Sequence, residues 1–128
     1  MPTTAFKYTS YVTNFVQKLI GSNFSVTGIE NIPKDNPVMF VSNHFTRSET
    51  IFVPHLVNKH IKRQVRSLAS SELFSGFLGR VLQSVGAVST KDPNRNRIII
   101  SDLINNRHDW LIYPEGGMVK NKNIIKEG

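Results

Sequence analysis

His44 follows a run of apolar residues and has a carboxylate close after it in the sequence. The run Val38-Met39-Phe40-Val41 leads into Ser42-Asn43-His44, and Glu49 lies five residues after the histidine. An imidazole can accept a proton from a hydroxyl at neutral pH, and a carboxylate on its other nitrogen would fix the tautomer and stabilise the imidazolium. The segment therefore favours general-base catalysis by His44 with Glu49 as its partner. The alternative is a structural histidine with satisfied hydrogen bonds.

A second group of residues is Tyr113-Pro114-Glu115-Gly116-Gly117. Glycines after a strand can expose backbone N–H groups to an anion, because no Cβ blocks the approach. Glu115 would repel a phosphate, so we expect it to orient a basic residue or to accept a hydrogen bond from a substrate hydroxyl. The alternative is a tight turn without a ligand.

A third group consists of the basic residues Lys91, Arg95 and Arg97 around Pro93. Cations beside the N-terminus of a helix can form an anion site. The alternative is three solvated charges.

The composition limits the classes of function. The chain has 128 residues, which suits one domain, and no cysteine, which excludes disulfides, thiolate metal sites and a cysteine nucleophile. The net charge of +7 favours an anionic partner, which could be nucleic acid, a membrane surface or a phosphorylated small molecule; the alternative is a solvated surface without such a partner. No apolar run reaches the roughly 18 to 20 residues that span a bilayer. The spacing of His44, Glu49, His55 and His60 does not suit a metal site.

The periodicity of apolar residues predicts alternating helices and strands. Four helices are expected: over 5–20, over 50–57 with Pro54 in the first turn, after an N-cap at Ser71, and from Asp92-Pro93 to 104. Strands are expected over 24–28, 38–41, 65–69, 86–89 and 110–113. The run over 38–41 lacks polar alternation, which predicts burial on both faces. The helix over 5–20 carries an apolar stripe that could pack on the core or lie on lipid headgroups: Tyr11, Val12, Phe15, Val16, Leu19 and Ile20.

This alternation predicts an α/β fold with a largely parallel central sheet flanked by helices. His44, Lys91 and Glu115 each follow a predicted strand. Because active sites gather at the carboxyl ends of parallel strands, we expect these three residues at one edge. We divide the chain into an N-terminal amphipathic helix, 1–23, and a domain, 24–128, and we expect a chain that stops within its fold.

Several segments, taken in order, resemble the glycerophospholipid acyltransferases, and specifically 1-acylglycerol-3-phosphate acyltransferases. The segment Ser42-Asn43-His44 to Glu49 resembles the family's Asn-His-x4-Asp motif, and Tyr113-Pro114-Glu115-Gly116 resembles its Phe-Pro-Glu-Gly motif. The resemblance extends to these shorter segments: Gly28-Ile29-Glu30-Asn31-Ile32-Pro33, Ser71-Glu72-Leu73-Phe74, Gly86-Ala87-Val88 and Lys126-Glu127-Gly128.

The resemblance implies transfer of an acyl group from acyl-CoA or acyl carrier protein to a lysophospholipid hydroxyl, with no further cofactor. It implies His44 as the general base and Glu49 as its partner, and it assigns binding of the substrate, including the acceptor's phosphate, to the second and third motifs: Lys91, Arg95, Glu115, Gly116 and Gly117. It also implies a peripheral protein on the cytoplasmic face of a membrane. A lipid-binding or anion-binding fragment without catalysis is the alternative. Nucleic-acid binding is a weaker one, because no nucleic-acid motif appears.

The chain departs from the family pattern at three positions. Glu49 stands where the family has Asp, Lys91-Asp92 stand where its second motif has an arginine, and Gly117-Met118 stand where it has Thr-Arg. A missing arginine fork weakens bidentate phosphate recognition, so the acceptor could differ from 1-acylglycerol-3-phosphate.

Overall fold

The computed structural model describes residues 3–21, 23–44 and 49–117. Helices and strands alternate along these residues in the order α1 (Thr4–Leu19), β1 (Met39–Val41), α2 (Glu49–Ile61), β2 (Val65–Ala69), α3 (Gly76–Ser84), β3 (Val88–Ser89), α4 (Arg95–Ile104) and β4 (Asp109–Ile112). Two short 3-10 turns cover Ile29–Asn31 and Ser71–Phe74.

The strands form one parallel sheet in the order β1-β4-β2-β3. The predicted α/β fold with a parallel central sheet is therefore confirmed. Strand β4 lies between β1 and β2, and its residues Trp110 and Leu111 have no exposed surface. Because successive side chains in a strand point to opposite faces, these two residues anchor opposite sides of the sheet.

Each face of the sheet has its own apolar core. Leu111 packs with Val57 of α2 and Val65 of β2. On the other face, Trp110 packs with Ile99 of α4 and Val88 of β3. Helices α2 and α4 therefore cover opposite faces of the sheet.

Strand β1 is at the edge of the sheet rather than in its centre. Met39 and Val41 are 41% and 63% exposed, so the prediction that this run is buried on both faces is wrong. Only Phe40, between them, packs against the core around Leu111. The apolar run predicts the strand correctly, but it does not determine the strand's place in the sheet.

Helix α1 contacts the domain through a face that is largely polar. Phe6 and Thr13 are buried, and the hydroxyl of Ser10 lies 3.2 Å from Nδ1 of His55 in α2. The N-terminal end of the helix is held where the backbone N–H of Thr3 donates to the side-chain oxygen of Gln64, at 2.9 Å. Helix α1 also contacts α3.

The apolar stripe of α1 is exposed. Tyr11, Phe15 and Leu19 are 75%, 62% and 69% exposed. The interpretation in which this stripe packs on the core is therefore wrong, because the spacing of apolar residues does not specify which side of a helix meets the protein.

Other local predictions require smaller corrections. Residues 24–28 form no strand; instead, the ring of Phe24 packs against that of Phe52 in α2, with centroids 4.7 Å apart. Pro54 lies in the second turn of α2 rather than the first, since the helix begins at Glu49.

Two predicted helix starts are displaced. Helix α3 begins at Gly76, after the 3-10 turn that starts at Ser71, and Ser71 does not cap it. Helix α4 begins at Arg95, after a turn in which Oδ1 of Asp92 accepts a hydrogen bond from the N–H of Asn94 at 2.7 Å.

A buried carboxylate secures the amino-terminal end of the β1–β4 pair. Oδ1 of Asp109 accepts a hydrogen bond from the backbone N–H of Val38 at 2.8 Å. Oδ2 of Asp109 lies 2.8 Å from Nε of Arg63 in an ionic contact that lacks hydrogen-bond geometry. Burial raises the pKa of Asp109, and the Val38 N–H and the Arg63 charge oppose that rise. The carboxylate thus depends on both partners to remain charged in the interior.

We expect Asp109→Ala to lower the free energy of unfolding by about 3–5 kcal/mol, because it leaves a partly buried guanidinium and a backbone N–H without their partner. Chemical denaturation measures this loss. Asp35→Ala, which removes an exposed carboxylate, is the matched control and should change stability by less than about 0.5 kcal/mol. Equal effects of the two substitutions would contradict this account of Asp109.

Candidate active site

The register of the sheet brings His44 beside Glu115. Met39 pairs with Trp110 and Val41 with Ile112, a constant offset of 71 residues. The ladder continues past the strands, where the N–H of Ser42 donates to the carbonyl of Ile112 at 3.2 Å. At the same offset, the backbone N–H of His44 donates to Oε2 of Glu115 at 3.2 Å. Glu115 therefore holds the backbone at His44, and its expected contact with a substrate hydroxyl stays a prediction.

The predicted contact between His44 and Glu49 is present. Nδ1 of His44 lies 2.8 Å from Oε1 of Glu49, and the two side chains are 16% and 22% exposed. Glu49 is the first residue of α2, so the start of this helix supplies the carboxylate. An ionised carboxylate only accepts hydrogen bonds, so Nδ1 must carry the proton. Nε2 then holds the lone pair that could remove a proton from a substrate.

The ring of Tyr113 stacks on the imidazole of His44. The ring centroids are 4.4 Å apart and the planes are inclined by 29°. The sequence places Tyr113 at the end of a strand but contains no signal for this contact, because stacking depends on rotamers and on strand order. His44 is thus held through its backbone, one ring nitrogen and one ring face.

The segment from Tyr113 to Gly117 forms the predicted turn. The N–H of Gly116 donates to the carbonyl of Tyr113 at 3.1 Å, and Pro114 occupies the second turn position, which its fixed φ suits. Gly116 has a φ of +65°, and a Cβ at this position would meet no atom within 4 Å. The space next to this glycine is open beside His44.

The basic residues Lys91 and Arg95 lie at the other side of the sheet. They follow β3, which is separated from β1 by β4 and β2. With strands about 4.8 Å apart, this lateral separation is about 14 Å. The guanidinium of Arg95 donates to the carbonyl of Thr90, and Lys91 is exposed. His44, Glu115 and Lys91 share one edge as predicted, but only His44 and Glu115 are adjacent.

Some segments named in the sequence analysis lie outside the described residues: Met118, the Lys126-Glu127-Gly128 segment and the residues 45–48 between His44 and Glu49. Among the residues that are described, no group of three or more His, Asp or Glu side chains could hold a metal ion. In the same part of the chain, no helix has the length and apolarity needed to cross a bilayer.

The family model described as Acyltransferase matches residues 23–127 of the chain. That match covers His44, Glu49 and the turn at Glu115. Comparisons with curated proteins and with solved structures found no match.

We expect the neutral His44 imidazole to carry its proton on Nδ1, because Glu49 can only accept. Glu49→Gln should weaken this preference, since an amide is a poorer acceptor than a carboxylate. Two-dimensional ¹H–¹⁵N spectra of the imidazole nitrogens measure the tautomer. Glu115→Gln is the control: Glu115 contacts the backbone of His44, so the tautomer should not change. A proton on Nε2 in the unmodified protein would contradict the assignment.

Proposed function

Since the chain belongs to the acyltransferase family, we propose that it transfers a fatty acyl group from acyl-CoA or acyl carrier protein to a hydroxyl of a lysophospholipid such as 1-acylglycerol-3-phosphate. The observation that carries this proposal is the 2.8 Å contact between His44 and Glu49 at the carboxyl ends of β1 and β4. This contact leaves one ring nitrogen of His44 available as a base beside an open turn.

In the proposed reaction, Nε2 of His44 removes the proton from the acceptor hydroxyl while the oxygen attacks the thioester carbonyl. The resulting tetrahedral intermediate collapses with cleavage of the C–S bond. The imidazolium returns its proton to the departing thiolate, so the products are an ester and a free thiol. Glu49 stabilises the transient imidazolium in both steps. The reaction requires no covalent acyl-enzyme, which suits a chain without cysteine.

We assign the acceptor's phosphate to the residues around this edge. The open space at Gly116 leaves room for an anion beside the turn that continues into Gly117. Lys91 and Arg95 contribute positive charge from the β3 side of the same edge. Glu115 contributes indirectly, by holding the backbone of His44.

We expect His44→Ala in the full chain to reduce acyl transfer by about 10²- to 10⁴-fold, the range for loss of a general base. Release of free thiol from acyl-CoA in the presence of a lysophospholipid measures the rate. His60→Ala is the matched control, because His60 is an exposed histidine at the end of α2. Normal turnover by His44→Ala would disprove the assignment. Binding of lipid without turnover by the unmodified chain would favour the non-catalytic alternative.

We further propose that the protein binds the surface of a membrane through α1. Six apolar side chains on this helix, and that of Ile20 at its C-cap, are between 42% and 75% exposed: Tyr8, Tyr11, Val12, Phe15, Val16, Leu19 and Ile20. The helix has no acidic residue, and it carries Lys7 and Lys18. An apolar face with flanking lysines is typical of helices that lie in the headgroup region of anionic membranes.

The direction of α1 supports this proposal. Its N-terminal end contacts Gln64, which precedes β2, and Ser10 contacts the middle of α2. Because α2 starts at the site with Glu49, the C-terminal end of α1 points toward the site's end of the sheet. Exposed apolar side chains surround that same end: Phe24, Val41 and Ile51. A bilayer against this surface would present its lipids next to His44.

We expect Leu19→Asp to weaken binding of the full chain to phosphatidylcholine vesicles containing phosphatidylglycerol by about tenfold or more, since burial of one leucine contributes about 1.5–3 kcal/mol. Vesicle flotation measures the binding. Ile104→Asp is the matched control, because Ile104 is 74% exposed on α4, the helix on the opposite face of the sheet. An equal loss with both variants, or no binding by the unmodified chain, would contradict a membrane-facing α1.

A further inference from the structure

We propose that Tyr113 is a positioning residue for His44, and that it acts through the face of its ring rather than through its hydroxyl. This inference rests on the proposed function, because it gives Tyr113 a role in the orientation of the general base. Neither the family match nor the His44–Glu49 contact assigns such a role.

The argument begins with the freedom that an imidazole retains. The torsion about the Cβ–Cγ bond of histidine has broad minima, so a rotamer does not fix the plane of the ring. The hydrogen bond from Nδ1 to Glu49 restrains one edge of the ring, within the tolerance in length and angle of a single hydrogen bond. The hydrogen bond that the backbone N–H of His44 donates to Glu115 holds only the backbone. Neither contact touches a face of the ring, so small rotations of the imidazole still move Nε2.

The stacked ring supplies the missing restraint. With centroids 4.4 Å apart and planes inclined by 29°, Tyr113 prevents the imidazole from rotating toward it. Tyr113 is itself half-buried and packs against the core formed by Val57, Val65 and Leu111. The sheet's core therefore fixes the plane of the base. A displacement of about 1 Å in a catalytic group can cost about 10²-fold in rate, so this restraint should affect turnover.

The hydroxyl of Tyr113 does not explain the arrangement. It is buried and has no hydrogen-bond partner among the described residues. Burial raises the pKa of Tyr113 to about 12, with a further contribution from the charge of Glu49, so the phenol stays neutral where the reaction would run. An unpaired buried hydroxyl is destabilising. The feature that contacts His44 is the neutral aromatic face, which phenylalanine would also provide.

The test compares Tyr113→Leu with Tyr113→Phe in the full chain. Tyr113→Leu should lower kcat by about 10- to 100-fold with little change in KM, because it disturbs the base and not the binding of substrate. Tyr113→Phe should recover most of that loss and raise the denaturation midpoint, since it keeps the ring and removes a buried hydroxyl that lacks a partner among the described residues. If Tyr113→Phe is as slow as Tyr113→Leu, the ring-face role is wrong.

Phe40→Leu is the matched control. Phe40 packs against the same core as Tyr113, so it reports the effect of the same aromatic-to-leucine change on that core. We expect it to lower the denaturation midpoint and to leave kcat within about twofold. An equal loss of kcat in Phe40→Leu and Tyr113→Leu would show that Tyr113 has only a structural role.

A spectroscopic measurement tests the inference even if Tyr113→Leu fails to fold. Ring current from the stacked tyrosine should move the His44 ring protons upfield of those of exposed His60, in both the unmodified chain and Tyr113→Phe. Absence of this upfield shift would overturn the inference. Failure of the proposed function is distinguishable, because it appears as normal turnover by His44→Ala, whereas failure of this inference appears with His44 still essential.

Discussion

The parallel pairing of β1 with β4 is the constraint on which the candidate site depends. A carboxylate secures each end of this pair: Asp109 accepts from the N–H of Val38 at one end, and Glu115 accepts from that of His44 at the other. Both contacts span 71 residues of sequence. A slip of one residue in this pairing would turn each side chain of β1 to the other face of the sheet. It would also break the contacts of His44 with Glu115 and with the ring of Tyr113.

The distribution of polarity around α1 is the reverse of that in most surface helices. A typical surface helix turns its apolar stripe toward the core, whereas α1 contacts the domain through Phe6, Ser10 and Thr13 and exposes Phe15 and Leu19. Exposure of these apolar side chains to water is unfavourable, and their contact with an apolar phase would be favourable. Together with exposed Ile51 and Val41 near His44, it gives the site's end of the molecule its apolar character.

The sequence predicts most of the elements because their periodicity is local. It predicts the contact of His44 with Glu49 because both residues lie within one loop and one helix start. It fails where position depends on distant neighbours. The run at Phe40 indicates a strand but does not specify an edge, the stripe at Phe15 indicates a helix but does not specify which side is buried, and Lys91 follows a strand whose order in the sheet determines its distance from His44. The stack of Tyr113 on His44 depends on the order of the strands and on side-chain rotamers, which no local pattern specifies.

The order β1-β4-β2-β3 also has a consequence for folding. Strands β1 and β2 are consecutive in the chain but not adjacent in the sheet, since β4 lies between them. Strand β1, which leads to His44, therefore gains its neighbouring strand only when β4, about 70 residues later in the chain, enters the sheet. Contacts between residues so far apart in sequence form slowly. Until then, the backbone N–H of His44 lacks its acceptor, Glu115, and the imidazole lacks the stacked ring of Tyr113. A nascent or partly folded chain would lack both contacts, so the candidate site is complete only when the sheet is complete.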